Sequence, residues 1–363
     1  VTTQGNDKST AKNFPAGEGP SASGTSHAKR GPSIADVARA AGVSAQTVSR
    51  VSNGHSNVED GTRIKVQDAM RRLGYRPNGA ARALKSGQFK SIGVIMFTLS
   101  SHGNMKTLDA IARAASDSGY SISLIPMPDP ASSKFPAAYN RLREQQVDGV
   151  IIVFDAHLTD RADIILPEDL PTVVIDSKPD RGYIMVDTDQ GGGAQQATEH
   201  LLSLGHANVW HIGGPRASFS ASHRADAWRR TLNTAGVTPP EVIYGDWSTE
   251  SGYQAGLELG SRPEVTAIFA ANDHMALGAM RALHELGRKI PRDVSVVGFD
   301  DLDEASSFWP PLSTVHQSFR TVGRLGLELL LTQIAGGQAP DSNWVPTRLV
   351  VRESTSAPST PGG

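Results

Sequence analysis

The 363-residue sequence contains no cysteine, which excludes disulfides, thiolate-ligated metals and a cysteine nucleophile, and with them several enzyme classes. Long apolar runs are also missing: none approaches the roughly 20 residues of a membrane-spanning helix. Residues 1–32, rich in Gly, Ser, Thr, Lys and Pro, lack the apolar core of a secretory signal. The expected location is therefore the cytoplasm. Hydrophobic residues make up 38% of the chain, which at this length suits two or three packed units rather than one small core.

Charge of either sign is nearly balanced overall, at a net −2, but it is unevenly spread. From Ser33 to Lys90, ten Lys/Arg stand against four acids, a net +6; residues 1–32 add +2, so the remainder carries −10. A small basic head on a large acidic body suits a polyanionic partner for the head. Residues 1–32 and 354–363, too poor in apolar side chains to order themselves, are expected to be disordered tails.

Between Ser33 and Leu73 apolar residues recur at helical spacing: Ile34, Val37 and Ala38, then Val43, Val48 and Val51, then Ile64, Val66, Met70 and Leu73. This predicts three short helices, and a fourth over Gly79 to Lys85 follows Pro77 and Asn78. Ser33 and Asp36 form a capping box, Gly42 permits a tight turn, and Ser44 caps a second helix over Ala45 to Ser52. Such a corner places the second helix in the DNA major groove. Gln46 and Arg50, one turn apart, share a face; glutamine pairs bidentately with adenine and arginine with guanine. Thr47 and Ser49 suit phosphate or packing contacts. Spacing alone leaves a plain helical bundle equally open, and the basic charge, with Arg71, Arg72 and Arg76, favours DNA.

After Lys90 short apolar runs alternate with amphipathic segments, the pattern of βαβ units. Seven strands are expected: Ile92 to Phe97, Ser121 to Ile125, Gly149 to Val153, Thr172 to Ile175, Val209 to Ile212, Ala267 to Ala270 and Val294 to Val297. They predict an α/β body of two doubly wound parallel sheets, with ligand groups at the carboxyl ends of strands. Asp176, Asn272, Asp273 and Asp300 fall there. Arg224 offers a donor fork and Trp247 a flat face for a sugar ring. Taken singly, each has an ordinary alternative: a helix cap for Asp176 and Asn272, an ion pair for Arg224, a core indole for Trp247.

The run Ile34-Ala-Asp-Val-Ala-Arg-Ala-Ala-Gly-Val-Ser-Ala-Gln-Thr-Val-Ser-Arg-Val51 and Gly74-Tyr-Arg-Pro-Asn78 resemble the LacI/GalR family of bacterial regulators. So do Ala271-Asn-Asp-His-Met-Ala-Leu-Gly-Ala-Met280 and Val296-Val-Gly-Phe-Asp-Asp301, and the likeness runs from Ser33 to about Thr355. It implies a helix-turn-helix head over 33–76, a hinge helix and linker over 77–90, and a two-lobed core over 91–353 of the periplasmic-binding-protein type. The implied N-lobe is 91–186 with 319–346, and the C-lobe 187–316 with 347–353. Ser44, Ala45, Gln46, Thr47, Arg50, Asn53 and Asn78 would meet DNA, and Leu84 would wedge into the minor groove. By the same resemblance Phe97, Asp176, Ser218, Ser220, Arg224, Trp247, Asn272, Asp300, Gln317 and Phe319 would contact the effector.

Departures qualify the likeness: the member it most resembles has tyrosine at the place of Ala45, serine at Phe97 and asparagine at Val153. Operator preference is therefore this chain's own, and one end of the pocket is more apolar. The resemblance implies a homodimeric repressor of a carbohydrate-use operon, released from its operator by a small sugar or glycoside. A galactoside, another glycoside and an oligosaccharide remain open, and a corepressor-type regulator answering to a nucleobase is the alternative. A transport-type sugar-binding protein fails on the missing signal and the basic head.

No cofactor, metal or catalytic site is expected. Gly191 to Gly193 and Gly213-Gly214 do not continue as phosphate loops. His200 and His206 fall on different helix faces, and Ser220, His223 and Asp226 lack a nucleophile elbow. The stretch after Arg352 has no heptad pattern, so a dimer is expected rather than a tetramer.

Overall fold

The computed structural model describes residues 31–76, 87–99, 101–127, 135–154, 170–176 and 183–359. Of the expected hinge and linker, residues 77–86, with Asn78 and Leu84, lie outside them, as does the segment 1–30. The chain divides into two compact units, Val1–Gly79 and Ala80–Gly363.

In the first unit the helical spacing becomes α1 (Ile34–Ala41), α2 (Ala45–Ser52) and α3 (Asp60–Leu73). Ser33 starts α1 through a reciprocal box: its N–H donates to Asp36 Oδ2 at 2.9 Å, and its Oγ accepts from Asp36 N–H at 3.4 Å. Gly42, at φ 67°, ends α1 in the left-handed conformation and sends its N–H back to Ala38 O. Two residues on, Ser44 Oγ accepts from Thr47 N–H at 3.1 Å and starts α2. Val37, Ala38, Val48, Val51, Val66 and Ala69 close a core of small side chains, which suits helices of only two to four turns.

The second unit holds two six-stranded sheets. The first is built from β1 (Ser91–Met96), β2 (Ser121–Pro126), β3 (Gly149–Val153), β4 (Thr172–Ile175), β5 (Ile184–Thr188) and β11 (Ser342–Val345), in the order β11-β5-β4-β3-β1-β2. Every pairing in it is parallel. The second comprises β6 (Trp210–Gly213), β7 (Ile243–Tyr244), β8 (Ala267–Ala270), β9 (Ser295–Asp300), β10 (Ser313–His316) and β12 (Arg348–Val350), ordered β12-β10-β9-β8-β6-β7. Only the β10–β12 pairing is antiparallel. The chain passes between sheets after β5, after β10 and after β11, so three connections join the two lobes. β3, β4 and β8 are buried along their whole length, as a parallel sheet covered on both faces requires.

Five strands exceed the sequence expectation. β5 and β10 carry Asp, Ser, Thr and His inside short runs, and β7, β11 and β12 are two to four residues long and partly exposed. The expected tail is a further correction, since residues 354–359 are packed. Ser354 is wholly buried: its Oγ accepts from Ser313 N–H at 2.7 Å and donates to Val296 O at 2.6 Å. Thr355 meets His200 Nε2 at 3.0 Å, and Ser356 N–H donates to Ser295 Oγ at 3.0 Å. Hydroxyls and main chain bonded to β9 and β10 hold this segment, so a reading based on apolar content misses it.

Behind the second sheet, His211 on β6 is stacked on Trp228 and Phe269, with ring centroids 5.2 Å and 4.7 Å away, and its Nδ1–H donates to Phe269 O at 2.8 Å. Burial depresses its pKa to about 4 from the ordinary 6.5. The unfolded chain therefore takes up a proton, as pH falls through 6.5, that the folded chain refuses until about 4. Stability contributed by neutral His211 is fully present above pH 6.5 and is lost as pH falls toward 4, a change of about 3 kcal/mol. Urea unfolding at pH 7 and near pH 4 should show this loss, and His211→Phe should remove that share of it.

Candidate functional site

The head presents α2 as its outward helix. Ser44, Ala45, Gln46, Arg50 and Asn53 are exposed, while Thr47 is half-buried. Val48 and Val51 turn inward, so Gln46 and Arg50 share the solvent face by helical geometry. Ser44 and Thr47 are tied as a cap, their hydroxyls 2.9 Å apart, and Asn53 Nδ2 reaches Ser49 Oγ at 3.4 Å. These bonds hold the two ends of α2 and leave Gln46 and Arg50 exposed between them. Of the arginine cluster, Arg71 pairs with Asp68 one turn back on α3.

Between the sheets of the second unit, at the carboxyl ends of their strands, lies a cavity of about 500 Å³. Three of the polar groups lining it follow directly from strand ends: Asp176 after β4, Asp300 closing β9 and Gln317 after β10. The C-lobe wall is also supplied by α7 (Phe219–Thr234), which carries Ser220 and Arg224, and by α9 (Asp273–Glu285), whose cap Asn272 accepts from Met275 N–H at 2.8 Å. The N-lobe wall comes from the start of α4 (His102–Asp117) and from α10 (Phe319–Ile334), with Val153 and Ile175 adding an apolar patch.

Arg224 organises the polar wall. It is 4% exposed, its Nε donates to Gln190 Oε1 at 2.8 Å, one terminal nitrogen bonds Ala271 O, and the same nitrogen lies 3.6 Å from Asp300 Oδ1. Asp300 Oδ1 also accepts from Gln317 Nε2 at 2.6 Å. Burial lowers the pKa of Arg224 and raises that of Asp300, while each favours the charged form of the other; a buried pair of this kind survives because its remaining bonds are satisfied. The guanidinium lies 3.8 Å from the centroid of Phe299 and 5.4 Å from that of Trp247.

Trp247 lies against Gly214, where a Cβ would collide with the indole, so close approach demands glycine there. Asn272 Nδ2 holds Trp247 O at 3.1 Å. Asp176, Trp247 and Asp300 adopt φ of 61°, 74° and 113°, a left-handed region that costs non-glycine residues energy and concentrates at binding sites.

Asp176, Ser220, Arg224, Trp247, Asn272, Asp300, Gln317 and Phe319 thus meet in one cavity, as does Val153. Two expected contacts lie elsewhere. Phe97 is 4% exposed and stacks on Phe154 with centroids 5.0 Å apart, because its position just past β1 turns it into the core beneath the sheet. Ser218 caps α7, accepting from Ala221 N–H at 3.3 Å.

Sequence reasoning missed Asp187, Gln190, His102 and His274, all of which line the cavity. Recognising β5 would have exposed Asp187 and Gln190 through the strand-end rule, and the same rule applied after β1 leads to His102. His102 and His274, one from each lobe, stand with ring centroids 5.9 Å apart.

Comparison with known proteins agrees with both units. Residues 33–78 match the model of bacterial regulatory proteins of the lacI family, and residues 198–355 match a periplasmic binding protein-like domain. The lactose operon repressor of Escherichia coli (strain K12) is 37% identical over 331 residues, 90% of this chain and 91% of that protein. A transcriptional repressor named PurR from Haemophilus influenzae (strain PittEE) is 32% identical over 89% of this chain and 98% of its own. The crystal structure of a lac repressor dimer bound to operator and the anti-inducer ONPF superposes with a TM-score of 0.83 at 35% identity, covering 90% of this chain and all of that one. A complex of the regulator CelR with cellobiose gives a TM-score of 0.65 at 32% identity, covering 89% and 99%. With that similarity spanning head and body alike, the chain belongs to the lacI family of bacterial regulatory proteins and is a helix-turn-helix, DNA-binding transcriptional repressor, not an enzyme.

Proposed function

We propose that this repressor controls a carbohydrate-use operon and that a sugar or glycoside, bound in the interlobe cavity, releases it from its operator. The carrying observation is the cavity lining that brings Arg224, Asp300, Gln317 and Asn272 together with Trp247. Carboxylate, amide and guanidinium groups match hydroxyls, and the indole matches the apolar face of a pyranose ring. Val153, Ile175 and Val322 line the same cavity and suit an apolar aglycone or a second ring. A galactoside, another glycoside and an oligosaccharide all fit this description. The similar CelR was solved with cellobiose, which supports a saccharide.

In this reading Gln46 and Arg50 read base edges, residues 77–90 form the hinge with Asn78 and Leu84, and two copies present two heads to a pseudo-palindromic operator. Sugar binding changes the spacing of the lobes, and the hinge passes that change to the heads. The coupling is reciprocal, so operator DNA weakens sugar binding by the same factor.

A second reading, a nucleobase corepressor, draws on the similarity to PurR and on the two aromatic rings, Trp247 and Phe319, that line the cavity. Thermal-shift screening of the full chain separates the two. A saccharide should raise the melting temperature by several degrees at about 100 times its Kd, equivalent to about 2.7 kcal/mol. Stabilisation by purines and by no saccharide would reverse the assignment.

A further inference from the structure

Asn272 and Asp273, adjacent at the start of α9, face different surroundings. Asn272 and His274 line the cavity, whereas Asp273 is wholly buried and turns its carboxyl to β9 and β10. Its Oδ1 lies 2.6 Å from the Thr314 hydroxyl, and its Oδ2 accepts from Leu302 N–H at 2.8 Å. A Cβ at Gly298 would collide with Asp273 Oδ1, so glycine in β9 is what lets the carboxyl lie against the strand. Burial first, then the Asp300 carboxylate, raise the pKa of Asp273 to about 8. The neutral form therefore predominates at neutral pH, and an amide of the same shape can replace it.

The bond to Leu302 pins the turn that leaves β9. Asp300 and Asp301 adopt φ of 113° and 56° in succession, a left-handed pair that non-glycine residues keep only where their surroundings hold them in it. The Asp301 carboxylate is held by Arg352 Nη2 at 2.6 Å and His316 Nδ1 at 3.0 Å, all three side chains keeping some contact with solvent. Leu302, next in the chain, is buried and tied by its N–H to Asp273. This turn presents Asp300, whose Oδ1 accepts from Gln317 Nε2 at 2.6 Å and lies 3.6 Å from Arg224 Nη1, on the polar wall of the cavity.

We infer that Asp273 is a positioning residue of the effector site: through Leu302 it fixes the turn that sets Asp300 on the cavity wall, without touching the effector itself. Losing the carboxyl leaves Leu302 N–H an unpaired buried donor, which the turn relieves by relaxing. Asp300 then moves away from Gln317 and Arg224. Asparagine keeps both bonds, its oxygen accepting from Leu302 N–H and its nitrogen donating to Thr314 Oγ1. The inference rests on the reading that the cavity holds the effector, and it applies to a saccharide and a nucleobase alike.

The test compares the full chain with Asp273→Ala and Asp273→Asn. Calorimetric titration with cellobiose, lactose and hypoxanthine as probes, run well below each melting midpoint, keeps lost stability out of the measured Kd. For the probe that the unaltered chain binds, Asp273→Ala is expected to bind about 10- to 100-fold more weakly, the range for misplacing a charged hydrogen-bonding group. Asp273→Asn should stay within about threefold of the unaltered chain. If the alanine variant does not fold, Thr314→Val takes its place with an expected loss of about 3- to 10-fold, and Thr314→Ser, which keeps the hydroxyl, restores binding. A crystal structure of Asp273→Ala, or of Thr314→Val in its place, reads the same point without a ligand: Asp300 should leave its left-handed φ and lose Gln317. Unweakened binding with Asp300 still in place, or an asparagine variant as weak as the alanine one, would overturn the inference. If the unaltered chain binds none of the three probes, that counts against the cavity reading, and the crystal structure alone decides the role of Asp273.

Discussion

Arg224→Lys is expected to weaken effector binding by about 30- to 100-fold, the range for degrading a buried charge-assisted contact, while operator affinity without effector stays within about twofold. The reason is geometric. Arg224 holds Gln190, Ala271 and Asp300 at once from a rigid planar fork, whereas lysine offers one mobile point charge. The charge is kept, so Asp300 is not stranded and the fold should survive. Complete removal differs: Arg224→Ala leaves the 9%-exposed Asp300 carboxylate uncompensated and should cost about 3 to 5 kcal/mol of stability. Calorimetry with the effector, paired with melting curves, distinguishes the two effects. In cells, the lysine variant should repress normally and fail to respond.

Arg50→Ala carries the second large effect. A bidentate arginine–guanine contact is worth about 1 to 3 kcal/mol of discrimination, about 5- to 150-fold for each head. Two heads on one operator would multiply that loss. The variant should relax sequence preference at one base position per half-site and keep its non-specific affinity. Arg72→Ala, on the exposed last turn of α3, should instead weaken all sequences alike and reduce the salt dependence by about one counterion. Affinity measured on operator and scrambled duplexes at two salt concentrations separates a base reader from a phosphate contact.

The head was legible in the sequence because its signals are local. Ser33 with Asp36, Gly42 and Ser44 each act within four residues, and the structure places each in the capping or turn role that its chemistry predicts. The long apolar strands were legible for the same reason. The site was legible where strand-end residues followed a recognisable apolar run, as Asp176, Asn272 and Asp300 do. It was hidden where the strand itself was polar. β5 buries Asp187 and Thr188 within a five-residue strand, so this cavity-lining acid gave no periodic signal. Phe97 shows the opposite error, a correct strand end whose side chain points into the core. The packed segment 354–359 was hidden because serine composition reads as solvent-loving, whereas here its hydroxyls complete the bonds of β9 and β10.

The most direct measurement is operator affinity with and without the saccharide that the thermal-shift screen identifies. An operator duplex is selected from random sequence with the full chain, and its Kd is measured by fluorescence anisotropy at fixed salt. A saturating saccharide is predicted to raise that Kd about 5- to 150-fold, the usual span of allosteric coupling, and Arg224→Lys is predicted to shift the response to proportionately higher saccharide. A Kd unchanged by saturating saccharide, or lowered by it, would contradict sugar-driven release.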